Sequence, residues 1–128
     1  MTDPDGRYVL IVEDQDYLAE IVSRIMQQIG LGAVICLTAE DAITYMEQHV
    51  LPDLIVLDIS MPGMSGWDFL DVIKQYEETK LIPVIVTTAR SDAANRLVGR
   101  LRNVDRYFVK PYHPEELLNA ARQSLGIG

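Results

Sequence analysis

Four short apolar runs in this chain each close on groups able to do ionic chemistry. Residues 8–12 are followed by Glu13 and Asp14, residues 54–57 by Asp58, the run from residue 84 by Thr87 and Thr88, and residues 107–109 by Lys110. Three carboxylates brought into one crevice repel one another and call for a cation. Carboxylate oxygens are hard ligands, and a shallow acidic site with room for water suits Mg2+. With Mg2+ and Lys110 present, the formal charges of Glu13, Asp14 and Asp58 are cancelled. A phosphoryl group arriving there brings oxygens that the metal, Lys110 and a hydroxyl such as that of Thr88 can hold. Phosphoryl transfer asks mainly for positioning and charge neutralisation. One carboxylate can act as the nucleophile and form an aspartyl phosphate.

These groups meet only if the runs are neighbouring strands. The chain alternates strand and helix patterns five times, which predicts an α/β fold. Residues 8–12 form a continuous apolar run, as expected of a strand buried on both faces of a parallel sheet. Leu18, Ile21, Val22, Ile25 and Ile29 follow at helical spacing, with Gly30 where a helix end wants glycine. Residues 33–37 are a second strand. Thr38 then reads as an N-cap with Asp41 as its partner, ahead of the stripe Ala39, Ala42, Ile43 and Met46. Pro52 breaks the chain before a third strand at 54–57. Residues 58–66, with Pro62, Gly63 and Gly66, predict a loop, and a helix resumes with Phe69, Leu70 and Ile73. Pro83 precedes a strand at 84–87. Ala94, Leu97, Val98 and Leu101 predict another helix, and residues 107–109 a fifth strand. Pro114 opens a last helix carrying Leu117, Leu118, Ala121 and Leu125. Right-handed crossovers set the C-terminal ends of parallel strands along one edge. Ligands of open α/β sheets bind in the crevice at that edge.

The 128 residues are the size of one domain, able to bury well over half of the unfolded surface. The lone Cys36 excludes an internal disulfide and fits a reducing compartment. The first six residues are acidic and polar rather than a signal peptide, and no apolar run approaches the ~20 residues that span a bilayer. A cytoplasmic location is therefore expected, with no membrane partner. The net charge of -8 opposes direct nucleic-acid binding through phosphate neutralisation. Against this background Arg90, Arg96, Arg100, Arg102 and Arg106 outnumber Asp92 and Asp105 within one stretch. Asp92 and Arg96 stand at (i, i+4), so a solvated helix side explains part of the cluster, and a partner-binding face is the other reading. His49 and His113 are expected at the surface or in caps, Cys36 in strand packing, and Met61 and Met64 in loop packing.

The same residues carry a resemblance to the receiver domains of two-component response regulators. Residues 9–14 (VLIVED) look like that family's first strand and acidic pair, and residues 57–66 (LDISMPGMSG) like its phosphorylation loop. Residues 83–89 (PVIVTTA) resemble the strand bearing the switch hydroxyl, and residues 107–111 (YFVKP) carry the switch aromatic and the lysine. The resemblance covers residues 8–125, in one receiver domain with no output domain expected in residues 1–128. It implies a flavodoxin-like, doubly wound, five-stranded parallel sheet in the order 2-1-3-4-5. It also implies a phosphorelay switch rather than an enzyme with independent turnover. Asp58 would accept the phosphoryl group from a phosphohistidine on a sensor histidine kinase or phosphotransfer protein. Asp14, Asp58 and the main-chain carbonyl of Ser60 would ligate Mg2+, with Glu13 acting through a water. Thr88 would bind a phosphoryl oxygen, and Lys110 would pair with Asp58 or its phosphate. A cis Lys110–Pro111 peptide is implied, and Tyr107 would swing inward as Thr88 moves. The face holding Arg90, Arg96, Arg100 and Arg106 would then present the state to a downstream protein.

Asn103 and Val104 depart from the Gly-Ala pair usual before the fifth strand, and Glu13 from the commoner Asp. Two rival readings are weaker. A dehalogenase-type phosphatase wants a second Asp two residues after its nucleophile, where this chain has Ser60. A flavodoxin-type ligand module wants a phosphate loop after the first strand, where Glu13 and Asp14 stand. A receiver used purely as an unphosphorylated scaffold is disfavoured because every expected site position is filled.

Overall fold

The computed structural model describes residues 6–89, 104 and 106–127. Five strands, β1 (Tyr8–Val12), β2 (Gly32–Cys36), β3 (Leu54–Asp58), β4 (Val84–Thr88) and β5 (Arg106–Val109), pair in parallel in the order β2-β1-β3-β4-β5. This is the order that the resemblance implies. The helices among the described residues are α1 (Asp16–Gln27), α2 (Ala39–Gln48), α3 (Gly66–Lys74) and α4 (Pro114–Leu125). The helix expected from Ala94, Leu97, Val98 and Leu101 lies outside the described residues, as do Arg90, Arg96, Arg100, Arg102 and Asn103.

The two sheet faces explain the apolar runs. Tyr8, Leu10 and Val12 of β1 point into one cluster with Ile55, Leu57, Phe69 and Leu70, under α2 and α3. Val9 and Ile11 point into the other, with Ala19, Met26, Val56 and Leu117 of α1, β3 and α4. All five β1 residues are buried. A strand covered on both faces has no solvent side on which to place polar residues, hence the unbroken run. Truncating such a residue, as in Ile11→Ala, costs about 2–5 kcal/mol.

Local signals hold at several ends. Thr38 Oγ1 accepts from the Asp41 amide at 3.0 Å, capping α2. Pro114 is the first residue of α4. The chain reverses at Gly30, whose φ of +80° suits only glycine without strain.

Elsewhere the structure departs from the sequence pattern. Ile21 lies on the α1 stripe yet is 48% exposed, because it sits at the margin where α1 turns from the sheet toward the chain after β5. Residue 66 is not loop but the first residue of α3, and Ser65 caps that helix by accepting from the Asp68 amide at 3.2 Å. The glycine there answers to crowding. A Cβ on Gly66 would stand 2.5 Å from Ile59 Cα and 2.7 Å from the Asp58 carbonyl oxygen. Glycine thus lets α3 start hard against the end of β3. Strands β3 and β4 each run one residue further than the apolar pattern predicts, so Asp58 and Thr88 belong to the ladder itself. The Lys110–Pro111 peptide is cis. Among the described residues, no helix is long and apolar enough to cross a membrane.

Candidate functional site

Parallel register brings the polar strand ends together. Val12 pairs with Leu57, Asp58 with Thr87, and Thr88 with Val109, so Glu13, Asp58, Thr88 and Lys110 follow one another across the same sheet edge. The ladders continue into the loops: the Glu13 amide donates to the Cys36 carbonyl, the Ile59 amide to Thr87 and the Lys110 amide to Thr88. Each ionic side chain therefore starts from fixed backbone. Carboxylate oxygens of Glu13, Asp14 and Asp58 lie within 4.8 Å of one another. Glu13 and Asp58 are only 4% and 5% exposed, while Asp14 is half-buried.

Two unit charges at such a separation repel by roughly 3 kcal/mol at an effective dielectric of about 20. Lys110 answers part of this. Its Nζ donates to Glu13 Oε1 at 2.6 Å and lies 3.7 Å from Asp58 Oδ2. Asp58 is the expected partner, but Glu13 is the nearer one, and 97 residues separate it from Lys110. Burial pushes the Glu13 carboxyl up to about 7; the Lys110 hydrogen bond opposes this, and the Asp58 charge adds to it. Among the described residues one ammonium faces three carboxylates, which leaves the cluster short of positive charge. The donor set is all hard oxygen and lies at a solvent-facing edge, so it fits a hydrated divalent ion such as Mg2+.

The loop after Asp58 is tied back at several points. The Ser60 amide donates to Asp58 Oδ1 at 3.0 Å, which orients the carboxylate, and Ser60 Oγ lies 3.5 Å from Thr88 Oγ1. Thr88 is fully buried. Met61 is buried and anchors the loop, and the Met64 amide donates to Glu40 of α2 at 3.3 Å. Gly63 beside that carboxylate has φ +74°.

The switch candidate, Tyr107, is half-buried on β5, and its ring stacks on Trp67 of α3 with centroids 6.4 Å apart and planes 13° from parallel. Arg106 is exposed and donates to Gln123 of α4. Arg90, Arg96 and Arg100, the rest of the expected partner face, lie outside the described residues. His49 is the C-cap residue of α2 and stacks on Tyr45, in keeping with the expected cap, and Cys36 is buried with its thiol pushed up to about 11 by burial, aided by Asp41, which fits strand packing. Sequence reasoning did not single out Trp67, Glu40 or Tyr112. The first two act through neighbours distant in the chain, while Tyr112, two residues after Lys110, was open to notice.

A family model described as "Response regulator receiver domain" matches residues 9–122. The phosphate regulon transcriptional regulatory protein PhoB of Klebsiella pneumoniae is 35% identical over 113 residues, covering 88% of this chain and 49% of that protein. The sensory transduction protein RegX3 of Mycolicibacterium smegmatis is 35% identical over 120 residues, 94% of this chain and 51% of that one. The chain thus spans about half the length of the curated relatives it matches. Among solved structures, the signal receiver domain of a histidine kinase from Syntrophus aciditrophicus superposes with a TM-score of 0.86 at 26% identity, covering 94% of this chain and 91% of that one.

Proposed function

This chain belongs to the response regulator receiver domain family, and from that membership we propose that it is a phospho-accepting switch with Asp58 as the acceptor. Receiver domains as a class take phosphoryl groups and act as switches. The single observation that carries the reading to these residues is the meeting of Glu13, Asp14 and Asp58 oxygens within 4.8 Å, with the Lys110 ammonium against them.

In this reading Asp14, Asp58 and the Ser60 carbonyl hold Mg2+ directly, and Glu13 does so through a water. The ion supplies neutralising charge for the incoming phosphoryl oxygens. The donor is a phosphohistidine on a sensor histidine kinase or phosphotransfer protein. An Asp58 carboxylate oxygen attacks phosphorus, the P–N bond breaks as the P–O bond forms, and the imidazole leaves with its electron pair and takes a proton. The Ser60 amide holds the other Asp58 oxygen in place at 3.0 Å. Lys110 turns from Glu13 to a phosphoryl oxygen, and the Thr88 hydroxyl takes another. Thr88 and Tyr107 then move together, and the face carrying Arg106, with Arg90, Arg96 and Arg100, presents the new state to a downstream protein. Residues 8–125 act as one receiver unit in the cytoplasm, without independent turnover of a substrate.

The test is intact-mass measurement after incubation with acetyl phosphate and Mg2+. Wild type gains one phosphoryl group; Asp58→Asn, and wild type with the metal chelated, gain none. An unmodified wild type, or a modified Asp58→Asn, contradicts the reading.

A further inference from the structure

Tyr112 lies two residues beyond Lys110, half-buried between β5 and α4. Its ring tilts against Phe108 with centroids 5.7 Å apart and 42° between planes. A phenylalanine would make the same ring contact, so packing does not account for the hydroxyl. That hydroxyl makes no hydrogen bond among the described residues. Tyr112 lines a groove of about 410 Å³ together with Glu13, Lys110, Tyr17 and Ile21, so Tyr112 and Glu13 border the same space. Burial, and after it the charges of Glu13 and Asp58, push the phenol up to about 12. It therefore keeps its proton at neutral pH and meets the acidic cluster as a hydrogen-bond donor.

Glu13 has use for such a donor. Its Oε1 takes the 2.6 Å bond from Lys110, and among the described residues its Oε2 has only the Gln15 amide at 3.3 Å. Lys110 is shared with Asp58 at 3.7 Å. Once the ammonium moves to a phosphoryl oxygen, Glu13 loses its strongest partner while still buried. A buried carboxylate without donors is costly.

We propose that Tyr112 is a positioning residue for the metal site, its hydroxyl donating to Glu13 directly or through one water and so fixing how Glu13 serves Asp14 and Asp58. The proposal rests on the function argued above. Groups of this kind, standing behind a ligating carboxylate, typically change metal affinity about tenfold or more when removed.

The experiment titrates Mg2+ calorimetrically into wild type, Tyr112→Phe, Glu13→Gln and the double variant. The phenylalanine keeps the ring on Phe108, and thermal unfolding checks that each variant is folded. Tyr112→Phe is expected to raise the Mg2+ Kd about tenfold. The rate of phosphorylation by acetyl phosphate should fall at low Mg2+ and recover at saturating Mg2+. In the Glu13→Gln background the same change should leave the Kd where it was, because the hydroxyl acts through Glu13. An unchanged Kd in Tyr112→Phe, or an equal loss with and without Glu13, overturns the proposal. A wild type that binds no Mg2+ and takes no phosphoryl group sinks the functional reading instead, so the two failures are distinct.

Discussion

Two aspartates flank the same strand and do opposite things. Asp53 precedes β3: its Oδ2 accepts from the Tyr8 amide at 2.9 Å, and its own amide donates to the Tyr8 carbonyl at 3.0 Å. This reciprocal pair ties the entry of β3 to the entry of β1. Asp58 ends β3. It accepts from the Ser60 amide at 3.0 Å, shares Lys110 with Glu13, and has two further carboxylates within 4.8 Å. At the entry end the partners are backbone groups, which fix the geometry of one carboxylate oxygen. At the exit end a backbone amide is joined by charges, an ammonium and two further carboxylates, which leave the group in want of a cation. A buried or half-buried carboxylate is therefore diagnosed by what stands against it, not by how deeply it is placed.

The sharpest way to break this contrast is to neutralise each aspartate in turn. Asp58→Asn is expected to abolish phosphoryl uptake in the acetyl phosphate assay and to raise the metal-free melting temperature, since it removes a like charge. Asp53→Asn should keep full uptake. If the asparagine at 53 also stopped phosphorylation, the division between the two ends would be lost.

Backbone crowding at the exit end gives the next largest effect. Gly66→Ala puts a Cβ 2.5 Å from Ile59 Cα, a clash with main chain that should destabilise by about 3 kcal/mol in denaturant unfolding. Gly30→Ala meets nothing within 4 Å and should cost only about 1 kcal/mol for its positive φ.

The charge crowding should also appear as a pH dependence. The Glu13 carboxyl stands at about 7 in the fold against its ordinary 4.5, so the folded state binds this proton more tightly than the unfolded chain. The stability it contributes is fully present below about 4.5 and is lost as pH rises through about 7. From pH 5.5 to pH 8 without divalent ions the loss is about 2 kcal/mol, read as the difference between wild type and Glu13→Gln in thermal unfolding. Saturating Mg2+ favours the charged carboxylate and should remove or reverse that slope. A slope identical in the two proteins would contradict the electrostatic picture of the exit end.

A comparably small effect lies at the entry end. Asp53→Asn keeps an acceptor for the Tyr8 amide but loses the charge on it. It should lower stability by about 1 kcal/mol without altering Mg2+ affinity.

What could be read in advance follows from the physics of each region. β1 and β3 were legible because burial on both faces forces continuous apolar runs, and the ionic residues stood out as their terminators. The cap at Thr38 was legible because its partner is three residues away. The start of α3 was not, because Gly66 and Pro62 carry the composition of a loop. The reason for that glycine is a contact with Ile59 that only the folded chain makes. The Lys110 to Glu13 bond was hidden for the same reason: proximity across 97 residues depends on the sheet order, which the periodicity alone does not give. Ile21 misled because periodicity marks a stripe and not its width, and the outer edge of this one faces a groove.

The central claim is that Asp14 and Asp58 jointly hold a divalent ion beside the acceptor oxygen. The most direct measurement is a crystal structure with Mn2+ and beryllofluoride, located by anomalous scattering. The account predicts one metal peak about 2.1 Å from both an Asp14 and an Asp58 oxygen, with the beryllofluoride on Asp58. A metal bound elsewhere, or beryllofluoride on a different side chain, would contradict it.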